Sequence, residues 1–364
     1  MKLDKEIRND YLILKPYGRI DSNTSNEFEQ AVQQAIEPGM NIEFDFREVV
    51  YISSSGLRVL LTLKKLLGNQ ISIRFSHVND VIMDVFEMTG FTDLFEILRV
   101  SDDEVPDTRV IFFDIDGTLL SHTTGRIPES TIRAIKKVQE TGVKCVIATG
   151  RDLVEMEKLP IHEIDFDGYL TLNGNICLDK DKKMFAGNEI APDEVEVLVN
   201  IFKAGKIPFV LIGKEKRYIN YVDDVVIQTQ LSTHGTIPDI GEYQGEKIYQ
   251  CLAFVDKGVR RKLDDLLDKC VITSWNDTGI DIIAKTGGKD AGIQKFLDKE
   301  NITRSQTMAF GDGENDMAML RFAGIGVAMG NGSEVLKRKA DYVTATVDDD
   351  GIEKALLHFG LISE

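Results

Sequence analysis

The first part of the chain alternates between two patterns of apolar and polar residues. Short apolar runs such as YLILKPYG, NIEFDF and ISIRFSHV are typical of strands. The segments SNEFEQAVQQAIE, SGLRVLLTLKKLL and DVIMDVFEMTG place apolar residues at helical spacing. We therefore predict a small α/β domain over residues 1–104. The following stretch, Val100–Thr108, is acidic, contains a proline and has few apolar residues, so we interpret it as a linker.

Beyond the linker, the strand-like runs VIFFD, KCVIATG, YLTLNG, QTMAFGDG and GIGVAMG alternate with amphipathic helices. Strands at this spacing need crossover connections, which predicts an α/β core with a doubly wound parallel sheet. Residues 183–281 have a different, α+β texture. We interpret them as an inserted cap domain, with the core formed by residues 107–182 and 282–364.

Composition and charge exclude several classes of protein. A length of 364 residues fits two or three domains, and the net charge of −17 includes no basic stretch. Binding to nucleic acid or to an anionic membrane needs concentrated positive charge, so neither partner is expected. The four cysteines lack the spacing of a zinc site. The polar N-terminal sequence and the lack of a long apolar run predict a cytoplasmic protein.

The segment VIFFDIDGTLL carries the most informative chemistry. Asp114 and Asp116 follow an apolar strand and enter a Gly-Thr turn. Side chains two residues apart in a strand share a face, but at a strand end their directions depend on how the backbone bends. The pair suits phosphoryl transfer in which Asp114 attacks phosphorus and Asp116 acts as acid and base, with Mg²⁺ reducing the repulsion between carboxylate and phosphate. The alternative is an ordinary Asp-Gly turn.

Three further segments fit the same chemistry. In ATGR, Thr149 ends a strand, and its hydroxyl and backbone amide could hold a phosphate oxygen. Lys289 begins a helix, where a cation opposes the helix dipole unless it gains anionic partners. In GDGENDMAML, Asp312, Asn315 and Asp316 form an acidic, glycine-rich turn suited to a hard cation. The alternatives are a routine turn at Thr149 and a solvated lysine at 289. Carboxyl ends of parallel strands share one edge, so we expect these segments to converge.

Residues of about 107–364 resemble a haloacid dehalogenase (HAD) superfamily phosphatase of the Cof type. The resemblance rests on FFDIDGTLL, ATGR, LNGN, GGKDAG, FGDGENDMAML, GVAMGN and ADYVTATVDDDGI, in that order. It implies a magnesium-dependent hydrolase with a large cap that closes over small phosphorylated metabolites, commonly sugar phosphates. Asn175 in LNGN stands where the family usually has a smaller residue, so we expect it to alter cap or substrate contacts.

The resemblance also implies a role for each matching residue. Asp114 is the implied nucleophile and Asp116 the acid and base, while Thr149 and Lys289 bind phosphate. The implied substrate-binding residues are Thr149, Gly150, Lys289 and Asn315. The implied Mg²⁺ ligands are Asp114, Asp116 through its carbonyl, Asp312 and Asp316.

The segments GRIDSNTSNEFEQAV, FDFREVVYISSSGLRVLL and DVIMDVFEMTGFTDLFEI resemble the STAS domain of anti-sigma factor antagonists. In that family a partner kinase phosphorylates a serine that corresponds here to Ser55. This chain has Ser53 where the antagonists commonly carry aspartate, and many STAS domains are never phosphorylated. A phosphate at Ser55 would suit the start of the following helix. The alternative is that Ser55 caps that helix.

These resemblances lead to one main hypothesis and two alternatives. The main one is a phosphatase for a small phosphorylated metabolite, with the STAS domain as a regulatory or docking module for a kinase or an anti-sigma-like protein. The first alternative is a regulatory STAS protein whose HAD unit senses a metabolite, which would leave the acids at Asp114 and Asp116 without a purpose. The second is a phosphatase that acts on Ser55, which a large cap should prevent.

Overall fold

The computed structural model describes residues 2–8, 11–68, 71–98, 105–232, 235–274 and 278–363. The chain divides into two compact units, Met1–Pro106 and Asp107–Glu364. Residues 100–104 of the predicted linker lie outside the described residues. Within the described residues, no helix is long and apolar enough to cross a membrane.

The first unit is an α/β domain. Its strands are β1 (Leu3–Arg8), β2 (Tyr11–Pro16), β3 (Gly18–Ile20), β4 (Asn41–Asp45), β5 (Val49–Ile52), β6 (Ile73–Ser76) and β7 (Glu96–Leu98). Its helices are α1 (Ser25–Ala35), α2 (Ser54–Leu67), α3 (Asp80–Thr89) and α4 (Phe91–Leu94). The main sheet has the order β1-β2-β4-β6-β7 and is parallel except for the β1–β2 pair. Strands β3 and β5 pair separately in parallel.

Phenylalanine side chains fill the core of this unit. The ring centroid of Phe75 lies 5.3 Å from those of Phe44 and Phe86 and 5.1 Å from that of Phe46. All four residues are fully buried. Aromatic rings at these separations add to the free energy of burying their area, so they tie the sheet to α3.

The start of α2 corrects one interpretation of Ser55. The helix begins at Ser54, and the Oγ of Ser53 accepts a hydrogen bond from the Ser55 N–H, with an N···O distance of 3.2 Å. The capping alternative for Ser55 is therefore wrong, because Ser53 is the N-cap and Ser55 lies inside the first turn. Phosphorylation of Ser55 stays a prediction.

The second unit contains two sheets. Its strands are β8 (Val110–Phe113), β9 (Lys144–Ala148), β10 (Gly168–Thr171), β11 (Ile176–Asp179), β12 (Met184–Gly187), β13 (Phe209–Ile212), β14 (Arg217–Ile219), β15 (Gln250–Phe254), β16 (Cys270–Ser274), β17 (Gly279–Ala284), β18 (Thr307–Gly311), β19 (Ile325–Ala328) and β20 (Tyr342–Val343). Its helices are α5 (Glu129–Glu140), α6 (Leu153–Met156), α7 (Pro192–Ala204), α8 (Asp224–Ser232), α9 (Lys257–Asp264), α10 (Lys289–Glu300), α11 (Met317–Phe322), α12 (Glu334–Lys337) and α13 (Gly351–His358). Short 3-10 turns occur at Arg304–Gln306, Glu314–Asp316 and Val347–Asp349.

The larger sheet has the order β12-β11-β10-β9-β8-β18-β19-β20. Strands β10, β9, β8, β18, β19 and β20 are parallel, and β11 and β12 add an antiparallel edge. The predicted doubly wound parallel sheet is confirmed. The strand order reverses beside β8, which has β9 on one side and β18 on the other. Crevices at such reversals are the usual ligand sites of these sheets.

The second sheet belongs to the inserted segment and has the order β14-β13-β15-β17-β16, with every pair antiparallel. The predicted limits of this segment were residues 183 and 281. However, β12 (Met184–Gly187) pairs with β11 in the larger sheet, and β17 continues in the second sheet to Ala284. Both sheet boundaries therefore lie a few residues beyond the predicted limits, because strand pairing was not visible in the composition of the segment.

Candidate active site

The acidic turn after β8 brings Asp114 to the edge of the larger sheet. The strand ends at Phe113, and the Asp114 N–H still donates to the Phe310 carbonyl oxygen at 3.0 Å. The chain then turns tightly, with a 2.7 Å hydrogen bond from the Leu120 N–H to the Ile115 oxygen. Gly117 has φ +78°, and a Cβ there would lie 2.2 Å from Oδ2 of Asp312. The turn therefore requires glycine, and it brings the segment that follows β18 against the segment that follows β8.

Lys289, at the start of α10, lies between two buried carboxylates. Its Nζ is 2.6 Å from Oδ1 of Asp114 and 2.5 Å from Oδ1 of Asp316. Lys289, Asp114 and Asp316 have relative exposures of 1%, 5% and 0%. Burial alone would lower the pKa of Lys289, but the two carboxylates outweigh it and raise that pKa above its usual value. The anionic partners explain why a cation occupies this helix start.

The turn after β18 is held by its own acidic residues. Oδ2 of Asp316 accepts hydrogen bonds from the backbone N–H groups of Asp312 and Gly313, both at 3.0 Å. Asn331, which sequence reasoning did not single out, donates from Nδ2 to the Gly117 carbonyl at 2.8 Å and to Oδ2 of Asp312 at 3.3 Å. Its only signal in the sequence was its place in the GVAMGN run. Asn331 thus links the turns that follow β8 and β18.

The residues Asp114, Asp312, Asp316 and Lys289 form what we call the carboxylate cluster. One oxygen from each acid lies within 4.8 Å of the others, which is close enough to hold one metal ion. Burial, together with the neighbouring Asp316, raises the pKa of Asp114 well above its usual range and that of Asp312 to about 7. A hard divalent cation prefers oxygen ligands, and its charge would relieve this repulsion, so the residues present fit Mg²⁺.

The side chain of Asp116 binds an arginine and is not part of this cluster. Its two oxygens accept hydrogen bonds from Nε and Nη2 of Arg151, each at 2.7 Å. Burial opposes the charge of Arg151, but the neighbouring carboxylates of Asp116, Glu155 and Asp114 together outweigh it and raise the pKa of Arg151. The carboxylate of Asp116 is therefore not among the acids that could hold a metal, which leaves its backbone carbonyl as the implied ligand.

Further charged residues connect Arg151 to the inserted segment. Glu155 lies 3.9 Å from Nη1 of Arg151. Arg217, on β14, donates from Nη1 to Oδ2 of Asp152 at 2.7 Å and lies 2.9 Å from Oε1 of Glu155. We call this set the arginine network; it consists of Asp116, Arg151, Asp152, Glu155 and Arg217. Sequence reasoning missed its two arginines, although Arg151 stands in the ATGR motif.

The position of Thr149 corrects part of its predicted role. Its backbone N–H donates to the Leu170 carbonyl at 2.8 Å, because the pairing of β9 with β10 continues to this residue. The expectation that this amide binds a phosphate oxygen is therefore wrong. The Thr149 hydroxyl accepts a 3.2 Å hydrogen bond from the Arg151 N–H and lines the cavity described below.

A cavity of about 910 Å³ lies between the larger sheet and the inserted segment. Its core side includes the predicted residues Asp114, Asp116, Thr149, Gly150, Asp312 and Asn315. Its opposite side includes Arg217, Gln250, Leu252, Arg260, Ser274 and Asp281. Sequence reasoning identified none of this second group, because strand pairing in the inserted sheet decides which of its residues face the cavity.

A buried amide joins the two sides of the cavity. Nδ2 of Asn173 donates to Oε1 of Gln250 at 3.1 Å and to Oδ2 of Asp281 at 2.7 Å. Gln250 in turn donates from Nε2 to the Gly150 carbonyl at 3.3 Å. Asn173 and Asp281 are 4% and 5% exposed. These bonds hold the inserted sheet against the loop that follows β9.

Asn175 lies away from the cavity but contacts the predicted cap segment. The residue is fully buried, donates from Nδ2 to the Leu172 carbonyl at 2.7 Å, and does not line the cavity. Its Oδ1 accepts a hydrogen bond from Nδ2 of Asn188 at 3.4 Å. Asn175 therefore shapes the turn between β10 and β11 and contacts Asn188 of the predicted cap segment, so an effect on cap contacts stays a prediction, whereas a direct contact with a substrate in the cavity is not supported.

The family of the chain follows from comparison with known proteins. Residues 111–356 match the model of the haloacid dehalogenase-like hydrolase family, and residues 2–105 match that of the STAS domain. The chain belongs to the haloacid dehalogenase-like hydrolase family and is a HAD-superfamily phosphatase that acts on phosphorylated small molecules, with a STAS domain at its N-terminal side.

Individual relatives cover the second unit. YkrA of Bacillus subtilis (strain 168), named as a candidate phosphatase, is 30% identical over 70% of this chain and 99% of its own. The 5-amino-6-(5-phospho-D-ribitylamino)uracil phosphatase YcsE of the same organism is 29% identical over 70% of this chain and 97% of its own. A solved HAD subclass IIB sugar phosphatase is 33% identical, with a TM-score of 0.65, and covers 70% of this chain and 100% of its own.

Proposed function

We propose that this protein hydrolyses the phosphate monoester of a small sugar or polyol, using Mg²⁺ and an aspartyl-phosphate intermediate on Asp114. The observation that carries the proposal is the buried contact of Lys289 with Asp114 and Asp316, beside Asp312 and open to a large cavity. Three carboxylates and one ammonium at the edge of a doubly wound sheet form a site that can take both a cation and a phosphate.

The first step forms a bond between an oxygen of Asp114 and phosphorus while the bond from phosphorus to the ester oxygen breaks. Asp116 donates the proton that the leaving alkoxide needs. In the second step Asp116 takes a proton from water, whose oxygen attacks the same phosphorus and releases inorganic phosphate and the Asp114 carboxylate. Arg151 orients Asp116 through two 2.7 Å hydrogen bonds.

Other residues of the cavity bind the phosphate. Lys289 already contacts Asp114 and is placed to bind an oxygen of the transferred group. The hydroxyl of Thr149, the backbone of Gly150 and the side chain of Asn315 line the same space. Hydrogen-bond donors fixed around the phosphate stabilise the charge that its oxygens carry in the transition state.

The metal site of this proposal consists of Asp114, Asp312, Asp316 and the Asp116 carbonyl. When bound, Mg²⁺ reduces the repulsion between the carboxylates and the phosphate and orients the group that is transferred. The support is the crowding of three carboxylates around one lysine and the raised pKa of Asp312.

The substrate class is supported by the cavity and by the relatives. Gln250 and Asp281 place hydrogen-bonding groups along the wall opposite Asp114, which suits the hydroxyl groups of a sugar or polyol. One relative is named for a phosphorylated ribitylamino compound and one solved neighbour is a sugar phosphatase. The inserted segment, which carries this wall, is proposed to act as the cap.

We propose that the STAS domain is a regulatory or docking module for a protein partner, with Ser55 as its phosphorylation site. The support is the position of Ser55 in the first turn of α2, where backbone N–H groups and the helix dipole favour an anion. A cytoplasmic location stays a prediction. The sensor alternative is not favoured, because Asp114, Asp116 and Lys289 together provide the groups that turnover needs.

The test is phosphate release from a panel of sugar, polyol, nucleotide and cofactor phosphates, with Mg²⁺ and with a chelator. We expect turnover of sugar or polyol phosphates. It should be lost in Asp114→Asn, which removes the proposed nucleophile, and on chelation, which removes the proposed metal ion. Thermal unfolding of Asp114→Asn controls for loss of the fold. Wild-type rates in that variant would contradict the assignment of the nucleophile.

A further inference from the structure

The cavity is lined by arginines that differ in their partners. Arg151 makes two hydrogen bonds with Asp116, and Arg217 donates to Asp152 at 2.7 Å. Both guanidinium groups are paired with carboxylates, and only 9% and 13% of the Arg151 and Arg217 side chains are exposed. They are therefore already neutralised and are not available to bind an anionic ligand. Arg260 of α9 also lines the cavity, but its situation is different.

The partners of Arg260 are neutral. Its Nη1 donates to the hydroxyl of Ser274, and its Nη2 donates to the Ile272 carbonyl at 3.1 Å. Among the described residues, no carboxylate lies within ion-pair distance of this guanidinium. A guanidinium carries five N–H donors, so two hydrogen bonds leave several for a ligand. The bonds to β16 also fix the direction of the side chain.

Asp256, which with Asp264 is one of the two acids nearest to Arg260 along the chain, is engaged elsewhere. Its Oδ1 accepts hydrogen bonds from the backbone N–H groups of Gly258 and Val259, at 2.8 and 2.9 Å. Asp256 is thus the N-cap of α9, and its charge is stabilised by that helix. It lines the cavity as well, but forms no ion pair with Arg260.

The wall that carries Arg260 also contains apolar side chains. Ser274 pairs with Ile280 across β16 and β17, and Ile280, Leu252 and Val255 line the same cavity. Ile280 and Val255 are 2% and 6% exposed. Arg260 is half-buried, which weakens the solvent screening of its charge and strengthens its interaction with an anion in the cavity. In a chain with net charge −17, an arginine that has no acidic partner among the described residues is a candidate for binding an anion.

We propose that Arg260 determines specificity by binding a second anionic group of the substrate, separate from the phosphate that is hydrolysed. That group is a phosphate or a carboxylate, because both match the planar guanidinium with paired hydrogen bonds. The inference rests on the proposed phosphatase function and narrows its substrate class to compounds with two anionic groups. The fixed orientation of Arg260 on Ser274 and Ile272 lowers the entropy lost on binding.

Three probes with the same carbon skeleton test this proposal. Sorbitol phosphate, phosphogluconate and sorbitol bisphosphate share a terminal phosphate and differ at the other end, which is a hydroxymethyl group, a carboxylate or a second phosphate. Phosphogluconate and sorbitol bisphosphate are the two probes with a second anionic group. For each of them the readout is its kcat/KM divided by that of sorbitol phosphate, measured with the full chain. We expect a ratio of about ten or more in the wild type for at least one probe, since a charge-assisted hydrogen bond has about this effect.

Substitutions then assign that preference to one residue. Arg260→Gln is expected to lower the preferred ratio about tenfold, and Arg260→Lys to restore part of it, since lysine keeps the charge but loses the planar fork. Arg261→Gln is the matched control, because Arg261 lies on the same helix and is exposed. It is expected to keep the wild-type ratio. If Arg260→Gln lowers the ratio for phosphogluconate, the second group is a carboxylate. If it lowers the ratio for the bisphosphate, the second group is a phosphate.

Two outcomes overturn the proposal. The first is a wild-type protein that does not prefer either probe with a second anionic group over sorbitol phosphate. The second is an Arg260→Gln variant that keeps the wild-type ratio of kcat/KM values. This includes the case in which the rates for all three probes fall by the same factor, because Arg260 would then act on the phosphate that they share. Binding of the same probes to Asp114→Asn, measured by calorimetry, gives the corresponding ratio of Kd values without turnover. If no probe is hydrolysed but these ratios depend on Arg260, the phosphatase proposal fails and the anion site stands.

Discussion

The carboxylate cluster and the arginine network both contribute residues to the same cavity, but they differ in charge balance. In the cluster, three acids share one ammonium, and burial together with Asp316 raises the pKa of Asp312 to about 7. In the network, three acids share two guanidinium groups through contacts of 2.7–3.9 Å. With every group ionised, the cluster is two positive charges short, which suits an external cation, whereas the network is one positive charge short and its contacts hold Asp116 in place. The larger deficit supports the proposed ligand site, and the smaller one supports a positioning role.

The largest effect is expected for Lys289→Met. The substitution leaves two buried carboxylates without their cation, which costs about 3–5 kcal/mol in the free energy of unfolding for a broken buried pair. It also removes the proposed phosphate ligand, so we expect kcat/KM to fall roughly a thousandfold. Urea unfolding and phosphate release measure both. Lys299→Met on the same helix is the control, because that lysine is exposed and its loss should change stability by less than about 1 kcal/mol. A stable, active Lys289→Met variant would contradict the cluster.

Arg151→Gln and Arg217→Gln separate the two ends of the arginine network. Arg151→Gln releases Asp116, and we expect kcat to fall roughly a hundredfold because a displaced acid–base group protonates the leaving group poorly. Arg217→Gln leaves the contact between Asp116 and Arg151 intact, so we expect a loss of only about threefold to tenfold, mainly in KM. Steady-state kinetics on one substrate measures the difference. Equal losses of kcat in both variants would mean that the network acts as a single unit.

The charge deficit of the cluster predicts how Mg²⁺ stabilises the protein at different pH. Because the folded pKa of Asp312, about 7, exceeds the usual value, proton binding stabilises the metal-free fold at low pH, and this is lost as pH rises through 7. Mg²⁺ needs the deprotonated acid, so its stabilising effect should be larger at pH 8 than at pH 6, with Tm shifts on the order of 5 °C. Thermal unfolding with Mg²⁺ and with a chelator tests this. Asp312→Asn should abolish the difference, and a larger shift at pH 6 would refute it.

The smallest effect is expected on removing the first unit. Both groups of charged residues lie within Asp107–Glu364, which is compact by itself. A protein reduced to these residues should therefore keep kcat/KM within about twofold of the full chain, the range expected when no contact of the site is lost. Kinetics and thermal unfolding of both forms check this. An insoluble or inactive fragment would show that the two units depend on each other.

The two groups of residues also differ in how well the sequence predicted them. Asp114, Asp312, Asp316 and Lys289 were identified because each stands at the end of an apolar strand or the start of a helix, where the topology of a parallel sheet collects side chains. The arginine network was missed, since Arg217 comes from an inserted strand and only its register brings it to Glu155. The prediction for the Thr149 amide was wrong for a related reason: strand pairing with β10 uses this N–H, and the sequence did not show which strand lies beside β9.

The sequence by itself determined the alternation of strands and helices, the doubly wound sheet and the acids at its edge, because local periodicity and strand ends are written in neighbouring residues. The tertiary structure alone decided which groups neutralise one another. Lys289 is 175 residues from Asp114 and 27 from Asp316 along the chain, yet contacts both. It also decided that Asp116 is held by Arg151 and that Arg260 has no acidic partner among the described residues. Such pairings depend on packing between distant segments, and no local pattern encodes them.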